Sequence, residues 1–355
     1  MTIRVIIVDD SPTMRAILMS RLAKEPDIEV VAAAANAAEG RQVIRELDPD
    51  VVTLDVEMPG MNGLDFLEKI MQLRPTPVII VSGATQKGAE TTARALALGA
   101  VDCYAKSDNS TGLPMDDNGK LAQMIREASK VTFHARPAAS ATPAAAAAQR
   151  QSVQRITTEA RGSLRERPRV IAIGSSTGGV EALQTLLGAF PENCPPTLVV
   201  QHINARFAPA VARTLDGSCP PKIVVAEPDM PLKDGHVYIA PGDDRHLLLG
   251  GANALLTTKL RKGEPVSGHL PSVDVLFGSV AELVGPQAVG ILLTGMGSDG
   301  ARGLLAMSQK GAHTIAQDEA TCTVFGMPRA AISLGAAGVV APIGHIARHA
   351  LSKAA

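Results

Sequence analysis

The chain has 355 residues, which at roughly 100–200 residues per domain implies two or three domains with cores of their own and excludes a peptide-sized scaffold. Its 34 Lys and Arg against 35 Asp and Glu leave a net charge of −1, so there is no whole-chain attraction to nucleic acid or to an anionic membrane. With no Trp and 2% aromatic residues, the core must be aliphatic and stacking platforms for single-stranded nucleic acid are scarce.

Cys103, Cys194, Cys219 and Cys322 form no C-x-x-C pair, which argues against a zinc site or disulfide framework and for reduced thiols in the cytoplasm. Met1-Thr2-Ile3-Arg4-Val5 enters strand-like sequence without the pattern of a signal peptide, and no run of about 18 apolar residues follows. Secretion and membrane insertion are not expected.

From Arg4 to about Lys130, apolar runs alternate with segments of helical period. The runs are Val5–Val8, Glu29–Val31, Val51–Leu54, Val78–Val81 and Ala100–Cys103, and they predict five β-α units. Continuous apolar strands separated by helices imply a parallel sheet covered on both faces, with functional groups at the carboxyl ends of the strands. Between Ala135 and Arg169 the pattern collapses into Ala, Pro and Arg, with seven Arg and two Glu, and reads as a linker. As a coil of this length its r.m.s. span would be roughly 30–35 Å. A second α/β region begins at Arg169, with apolar runs at Val170–Ile173, Thr197–Val200, Ile223–Val225, Val237–Ile239 and Val289–Leu293. Helical stretches are expected near Val180–Phe190, Ala208–Leu215, Val273–Val284 and Ala301–Gln309.

In the first region Asp9 and Asp10 follow the first strand, Asp55 the third, Ser82 ends the fourth and Lys106 lies just beyond the fifth. Carboxylates crowded on one sheet edge need a counter-cation, and hard oxygen ligands suit Mg²⁺. Asp55 is then a candidate phosphoryl acceptor, with the Lys106 ammonium and Ser82 hydroxyl facing phosphoryl oxygens. The plainer reading of Asp9-Asp10 is a solvated loop that caps the next helix.

These residues resemble the receiver domain of two-component response regulators, through Val8-Asp9-Asp10-Ser11, Leu54-Asp55 to Asn62-Gly63, and Lys106. The resemblance implies a flavodoxin-like doubly wound fold and phosphorylation of Asp55 by a histidine kinase. It also implies Mg²⁺ held by Asp10, Asp55 and the Glu57 carbonyl, and by Asp9 through water. Two departures stand out. Ser107 follows Lys106 where the family usually has Pro, and Cys103 occupies the usual aromatic switch position. Tyr104 is one residue off and is expected on the other face of its strand.

In the second region Gly174-Ser175-Ser176-Thr177-Gly178 joins a predicted strand to a predicted helix and fits G-x-S-x-G, the pattern of a nucleophile elbow. A Gly-rich anion-binding loop is the plainer alternative. His202 closes one neighbouring strand and Asp299 follows another, so the sheet edge that carries Ser176 also carries a candidate base and a candidate orienting acid. His134, His236, His246, His269, His313, His345 and His349 are weaker candidates, the second to fourth of them being expected in loops or turns. The order Ser, His, Asp differs from that of α/β-hydrolases, so that superfamily is not implied.

Apart from the linker, nearly the whole chain resembles the CheB family of chemotaxis protein-glutamate methylesterases and glutamine deamidases. The resemblance is carried by Ile173–Gly179, Gln201-His202, Tyr238–Asp243, Pro271–Phe277, Leu293–Gly300 and Val324–Pro328. It implies a receiver domain over 1–133, a linker over 134–168, and a second doubly wound, mostly parallel α/β hydrolytic domain over 169–355. Ser176, His202 and Asp299 are then the catalytic triad, and we expect the Thr177 and Met296 N–H groups to form the oxyanion hole. The substrates implied are cytoplasmic helices of methyl-accepting chemoreceptors, and the phosphodonor a chemotaxis kinase. No cofactor is expected for the ester chemistry, and no nucleic acid partner. The unphosphorylated receiver is expected to block Ser176. Gly268 and Leu270 stand where the family often has basic residues before Pro-Ser-Val-Asp, so receptor choice could differ. A phospho-switched docking module and a DNA-binding output domain are the competing readings.

Overall fold

A computed structural model describes residues 2–58, 63–83, 85–106, 119–131, 168–252 and 255–352. The chain divides into two compact units, Met1–Phe133 and His134–Ala355. All but Pro168 of the expected linker lies outside the described residues.

The first unit alternates β1 (Ile3–Val8), α1 (Pro12–Leu22), β2 (Ile28–Ala34), α2 (Ala37–Leu47), β3 (Val51–Leu54), α3 (Gly63–Leu73), β4 (Val78–Ser82), α4 (Gln86–Ala97), β5 (Asp102–Ala105) and α5 (Lys120–Ala128). Its strands form one parallel sheet in the order β2-β1-β3-β4-β5, the flavodoxin-like arrangement. β3 and β4 are buried along their whole length, as Val/Ile runs sandwiched between helix layers must be. Ser11 caps α1 by accepting from Met14 N–H at 3.2 Å, with Pro12 pre-set for the first turn. Strand bounds shift from the sequence reading, most of all in β2 and β5. β2 runs on through Ala32–Ala34, whose weak strand propensity is overridden by pairing with β1, and β5 starts two residues late, after the left-handed turn at Gly99. Tyr104 is buried, and its hydroxyl accepts from Arg21 of α1, whereas Cys103 alternates to the opposite face.

The second unit contains β6 (Val170–Ser175), α6 (Gly179–Gly188), β7 (Thr197–Gln201), α7 (Ala208–Asp216), β8 (Lys222–Val225), β9 (His236–Ile239), β10 (Arg245–Ala252), β11 (Leu255–Lys262), α8 (Val273–Leu283), β12 (Ala288–Leu292), α9 (Ala301–Gln309), β13 (His313–Gln317), α10 (Met327–Ser333), β14 (Val339–Ala341) and α11 (Ile343–Leu351). Seven strands form a parallel sheet ordered β14-β13-β12-β6-β7-β9-β8, and β10-β11 is a separate antiparallel pair. Both units are therefore doubly wound α/β folds. β6, β7 and β12, adjacent at the centre, are wholly buried, and α8 packs Val273, Leu276, Phe277 and Val280 into the core with Leu292 and Met307. Tyr238, fully buried in β9, donates its hydroxyl to Pro231 O and accepts from Lys233 N–H. His246, expected in a loop, is buried within β10, a strand whose Leu-Leu-Leu-Gly-Gly run carries no alternation to announce it. The four cysteines form no disulfide.

Candidate active site and phosphoacceptor site

In the second unit three strand ends are stitched together by main-chain hydrogen bonds. The register pairs Ser175 with Gln201 and Gly174 with Leu292. Beyond those pairs His202 N–H donates to Ser175 O at 3.0 Å, Leu293 N–H to Gly174 O at 2.9 Å and Ser176 N–H to Thr294 O at 3.0 Å. Side chains reinforce the seam: Gln201 accepts from Ser175 Oγ at 2.6 Å and donates to Ser176 O at 2.8 Å, while Thr294 Oγ1 donates to Thr177 O at 3.0 Å. Ser176 is thereby set beside His202 on one sheet edge.

The turn between β6 and α6 needs its glycines. Gly178 caps α6 at φ 73°, and a Cβ there would meet Thr323 Oγ1 at 2.3 Å; a Cβ on Gly174 would meet Val273 Cγ1 at 2.2 Å. On the other side of Ser176, a Cβ on Gly295 would lie 2.6 Å from Ser176 Cβ, so the chain leading to Met296 passes directly against the serine. Thr177 is buried and Met296 partly so. Gly295 is held in turn by Val324 and Met327 through main-chain bonds of 3.0 and 2.8 Å.

Asp299 is completely buried and accepts five hydrogen bonds. They come from His202 Nε2 at 2.9 Å, Ser272 Oγ at 2.7 Å, and the N–H groups of Val273, Asp274 and Gly300 at 2.7, 3.1 and 3.0 Å. Two of these N–H groups open α8, so the helix N-terminus faces the carboxylate with its orphan donors and partial positive charge. Burial alone would push the Asp299 carboxyl up; His202, Ser272 and Val273 outweigh it and hold the pKa below the ordinary value. Because Asp299 takes His202 Nε2, the nitrogen left to act as a base is Nδ1, which is buried and has no hydrogen-bond partner.

Sequence reading gives no site role to Ser272 and Val273, which stand only within a family-like segment, and marks His246 and His269 only as weaker histidine candidates; all four belong to the site. His246 Nδ1 accepts from Ser272 N–H at 3.1 Å while Nε2 faces Glu264 O at 3.0 Å, which anchors the start of α8 to β10. The His269 ring stacks on His202 with centroids 3.8 Å apart and planes 15° apart. No local pattern signals either role, since both arise from contacts far apart in the chain. The ligand atoms of His202, His269 and Asp299 lie within 4.8 Å of one another. Stacked rings, however, hold their nitrogen lone pairs side by side rather than convergent, and a metal would have to break the His202–Asp299 bond, so the group does not fit a metal centre.

In the first unit the same device recurs. Asp9 N–H donates to Ala34 O, Asp55 N–H to Val8 O and Lys106 N–H to Ser82 O, at 3.1, 2.8 and 2.7 Å. Lys106 Nζ lies 2.6 Å from Asp55 Oδ2 and 2.9 Å from Asp9 Oδ2. Burial works to lower the Lys106 pKa, but the two carboxylates prevail and raise it; burial raises that of Asp9 against the pull of Lys106. Glu57 N–H donates to Asp55 Oδ1 at 2.9 Å. Ser82 Oγ is buried and lies 3.3 Å from the Gly83 and Gly88 carbonyls, so it must turn to reach a group on Asp55. Asp9, Asp10 and Asp55 bring ligand oxygens within 4.8 Å of one another, and Asp9 Oδ2 makes no hydrogen bond of good geometry. An all-oxygen, net negative donor set of this kind fits Mg²⁺.

The folds and sites define a class of protein, a doubly wound α/β unit with an esterase-type site carried with a receiver unit. Residues 171–350 match the CheB methylesterase family model and residues 5–114 the response regulator receiver domain model. The chain is 51% identical over 334 residues to protein-glutamate methylesterase/protein-glutamine glutaminase 1 of Caulobacter vibrioides, covering 94% of this chain and 93% of that protein. It is 47% identical over 348 residues to the Agrobacterium fabrum protein-glutamate methylesterase/protein-glutamine glutaminase, covering 98% and 95%. The crystal structure of the Thermotoga maritima CheB methylesterase catalytic domain aligns with a TM-score of 0.50 at 36% identity, covering 51% of this chain and 96% of that one. The chain belongs to the CheB methylesterase family.

Proposed function

We propose that this protein is a phosphorylation-regulated hydrolase that removes methyl esters from chemoreceptor glutamates and deamidates receptor glutamines, with Ser176 as nucleophile, His202 as base and Asp299 as orienting acid. The observation that carries this reading is the His202 Nε2–Asp299 Oδ2 bond of 2.9 Å on the sheet edge beside Ser176. It leaves Nδ1 as the bare, water-shielded base.

Ser176 Oγ attacks the side-chain carbonyl as His202 Nδ1 takes its proton. Asp299 stabilises the resulting imidazolium. Collapse of the tetrahedral intermediate breaks the bond to methoxide, or to the amide nitrogen, and the imidazolium proton leaves with it as methanol or ammonia. Water then attacks the acyl-enzyme through the same base, releasing glutamate carboxylate and Ser176. Acid-base work of this kind contributes about 10²–10⁴-fold. Thr177 and Met296 N–H are the proposed oxyanion donors, each worth about 10²–10³-fold when aligned.

Asp55 is the proposed phosphoacceptor. Asp10, Asp55 and the Glu57 carbonyl, with Asp9 through water, would hold Mg²⁺, which supplies charge neutralisation for phosphoryl transfer. Lys106 and Ser82 would meet the phosphoryl oxygens, a histidine kinase of the chemotaxis system being the donor, in the cytoplasm. The unphosphorylated receiver is proposed to restrain turnover.

The test is methanol release from methylated receptor membranes, with and without a small phosphodonor. Wild type should release methanol faster with the donor, Asp55→Asn should not respond, and Ser176→Ala should be inactive. Methanol release by wild type no faster than the Ser176→Ala background would reduce the second unit to a docking module.

A further inference from the structure

We propose that His269 is a positioning residue for His202: a flat neutral ring that fixes the plane of the base and backs it when it becomes cationic. The inference rests on the reading of His202 as base.

The His202 ring is tethered by one hydrogen bond, at Nε2, and its Nδ1 has none. One tether leaves the ring free to rock, and a base must hold its lone pair on the serine hydroxyl to within a few tenths of an ångström. The constraint present is the face of His269, 3.8 Å away and nearly parallel.

That face is delivered by a turn built for the purpose. Val266 and His269 exchange both main-chain hydrogen bonds, each 3.0 Å, around Ser267 at φ 52° and Gly268 at φ 82°. Two left-handed central residues make the tight mirror-image turn, and Ser267 pays a steric penalty there that glycine would avoid. Side chains hold the strained residue in place: Ser267 Oγ donates to Asp274 Oδ2 at 2.8 Å and accepts from Arg302 Nη2 at 3.3 Å. Asp274 also accepts from Gly303 N–H at 2.7 Å, and its own N–H donates to Asp299. One helix N-terminus thus locates both the carboxylate bonded to His202 and the ring stacked on it.

The electrostatics agree. His269 Nδ1 lies 3.2 Å from Ser267 O, which suits an Nδ1–H donor and a neutral ring. Burial, with the adjacent His202, lowers its pKa to about 4, so the ring stays uncharged at neutral pH. When His202 takes up the serine proton, the cation lies against a neutral π-face rather than a second charge.

The experiment compares full-length wild type with His269→Ala, His269→Leu and His269→Phe, each with a small phosphodonor, and Ser176→Ala as the inactive control. It measures kcat and KM for methanol release and the rate at which a fluorophosphonate labels Ser176, with a melting curve for each variant. Loss of the ring should lower kcat and the labelling rate together by about 10–100-fold, with KM within about twofold. Phe, which keeps the flat face, should recover to within about threefold of wild type while Leu, of similar bulk, should not. Wild-type kcat in His269→Ala or His269→Leu overturns the proposal, as does equal impairment of Leu and Phe, or a rise in KM alone, which would mark substrate contact. Where His269→Ala fails to fold, the Leu and Phe pair decides. If Ser176→Ala itself retains turnover and labelling, the underlying reading of the site fails instead.

Discussion

Val273 N–H donates to Asp299 Oδ2 at 2.7 Å, on the same oxygen that accepts from His202. The acid of the proposed triad is therefore also the ligand of a helix N-terminus. Its charge is stabilised before any substrate arrives, so little reorganisation is needed when His202 becomes cationic.

Asp299→Asn is expected to be severely impaired. The amide offers one acceptor oxygen to donors that now share two, and its NH₂ would force His202 toward the wrong tautomer. By the general behaviour of such triads, kcat for methanol release should fall by about 10³–10⁴-fold. Denaturant titration should show a loss of about 1–3 kcal/mol from the donors left unpaired.

Gly174→Ala should couple a packing defect to the chemistry. Its Cβ would press into Val273 Cγ1 at 2.2 Å, and Val273 cannot yield without shifting the N–H that holds Asp299. Overpacking of this kind costs about 1–3 kcal/mol. A lower denaturation midpoint together with reduced kcat is the expected pair of results; full activity in a destabilised protein would separate the two.

Stability should fall as the medium is acidified below pH 6.5. His269 has its pKa depressed from 6.5 to about 4 in the folded protein, so between those values the unfolded chain binds a proton that the folded chain does not. The folded state loses stability through that window and the loss levels off near pH 4, with an upper bound of roughly 3 kcal/mol at 1.36 kcal/mol per pH unit. Asp299, also depressed, adds stability above its ordinary 3.8 that is lost at still lower pH. Denaturant titrations from pH 7 to 4 should show a shallower slope in His269→Phe.

In the receiver unit, Lys106→Ala leaves Asp9 and Asp55 buried without their shared ammonium. Removing one partner of a buried pair typically costs about 3–5 kcal/mol. Hydrogen exchange of the β1 and β3 amides in the full-length variant should accelerate in chelator and slow again in millimolar Mg²⁺. Unchanged protection in chelator would show that the ammonium is not what balances these carboxylates.

The sheet interiors were legible because Val/Ile runs such as Val170–Ile173 are buried on both faces whatever their neighbours do, and the candidate site residues followed from asking what lies at strand ends. β13 and β14 escaped notice, since His313–Gln317 and Val339–Ala341 are short and take their strand character from the sheet they join. Ser272, His246 and His269 were illegible for a different reason. Ser272 reaches Asp299 across 27 residues of chain and His246 reaches Ser272 across 26, and no local periodicity encodes such a meeting.

The chain has two tyrosines and no tryptophan, and the phenols of Tyr104 and Tyr238 are buried in different units, each tied by its hydroxyl to its own surroundings. Ultraviolet emission from this protein is in effect a two-channel signal, one fluorophore per module. Replacing either tyrosine with phenylalanine silences one channel, and the melting of each half becomes readable in the intact chain without an added label.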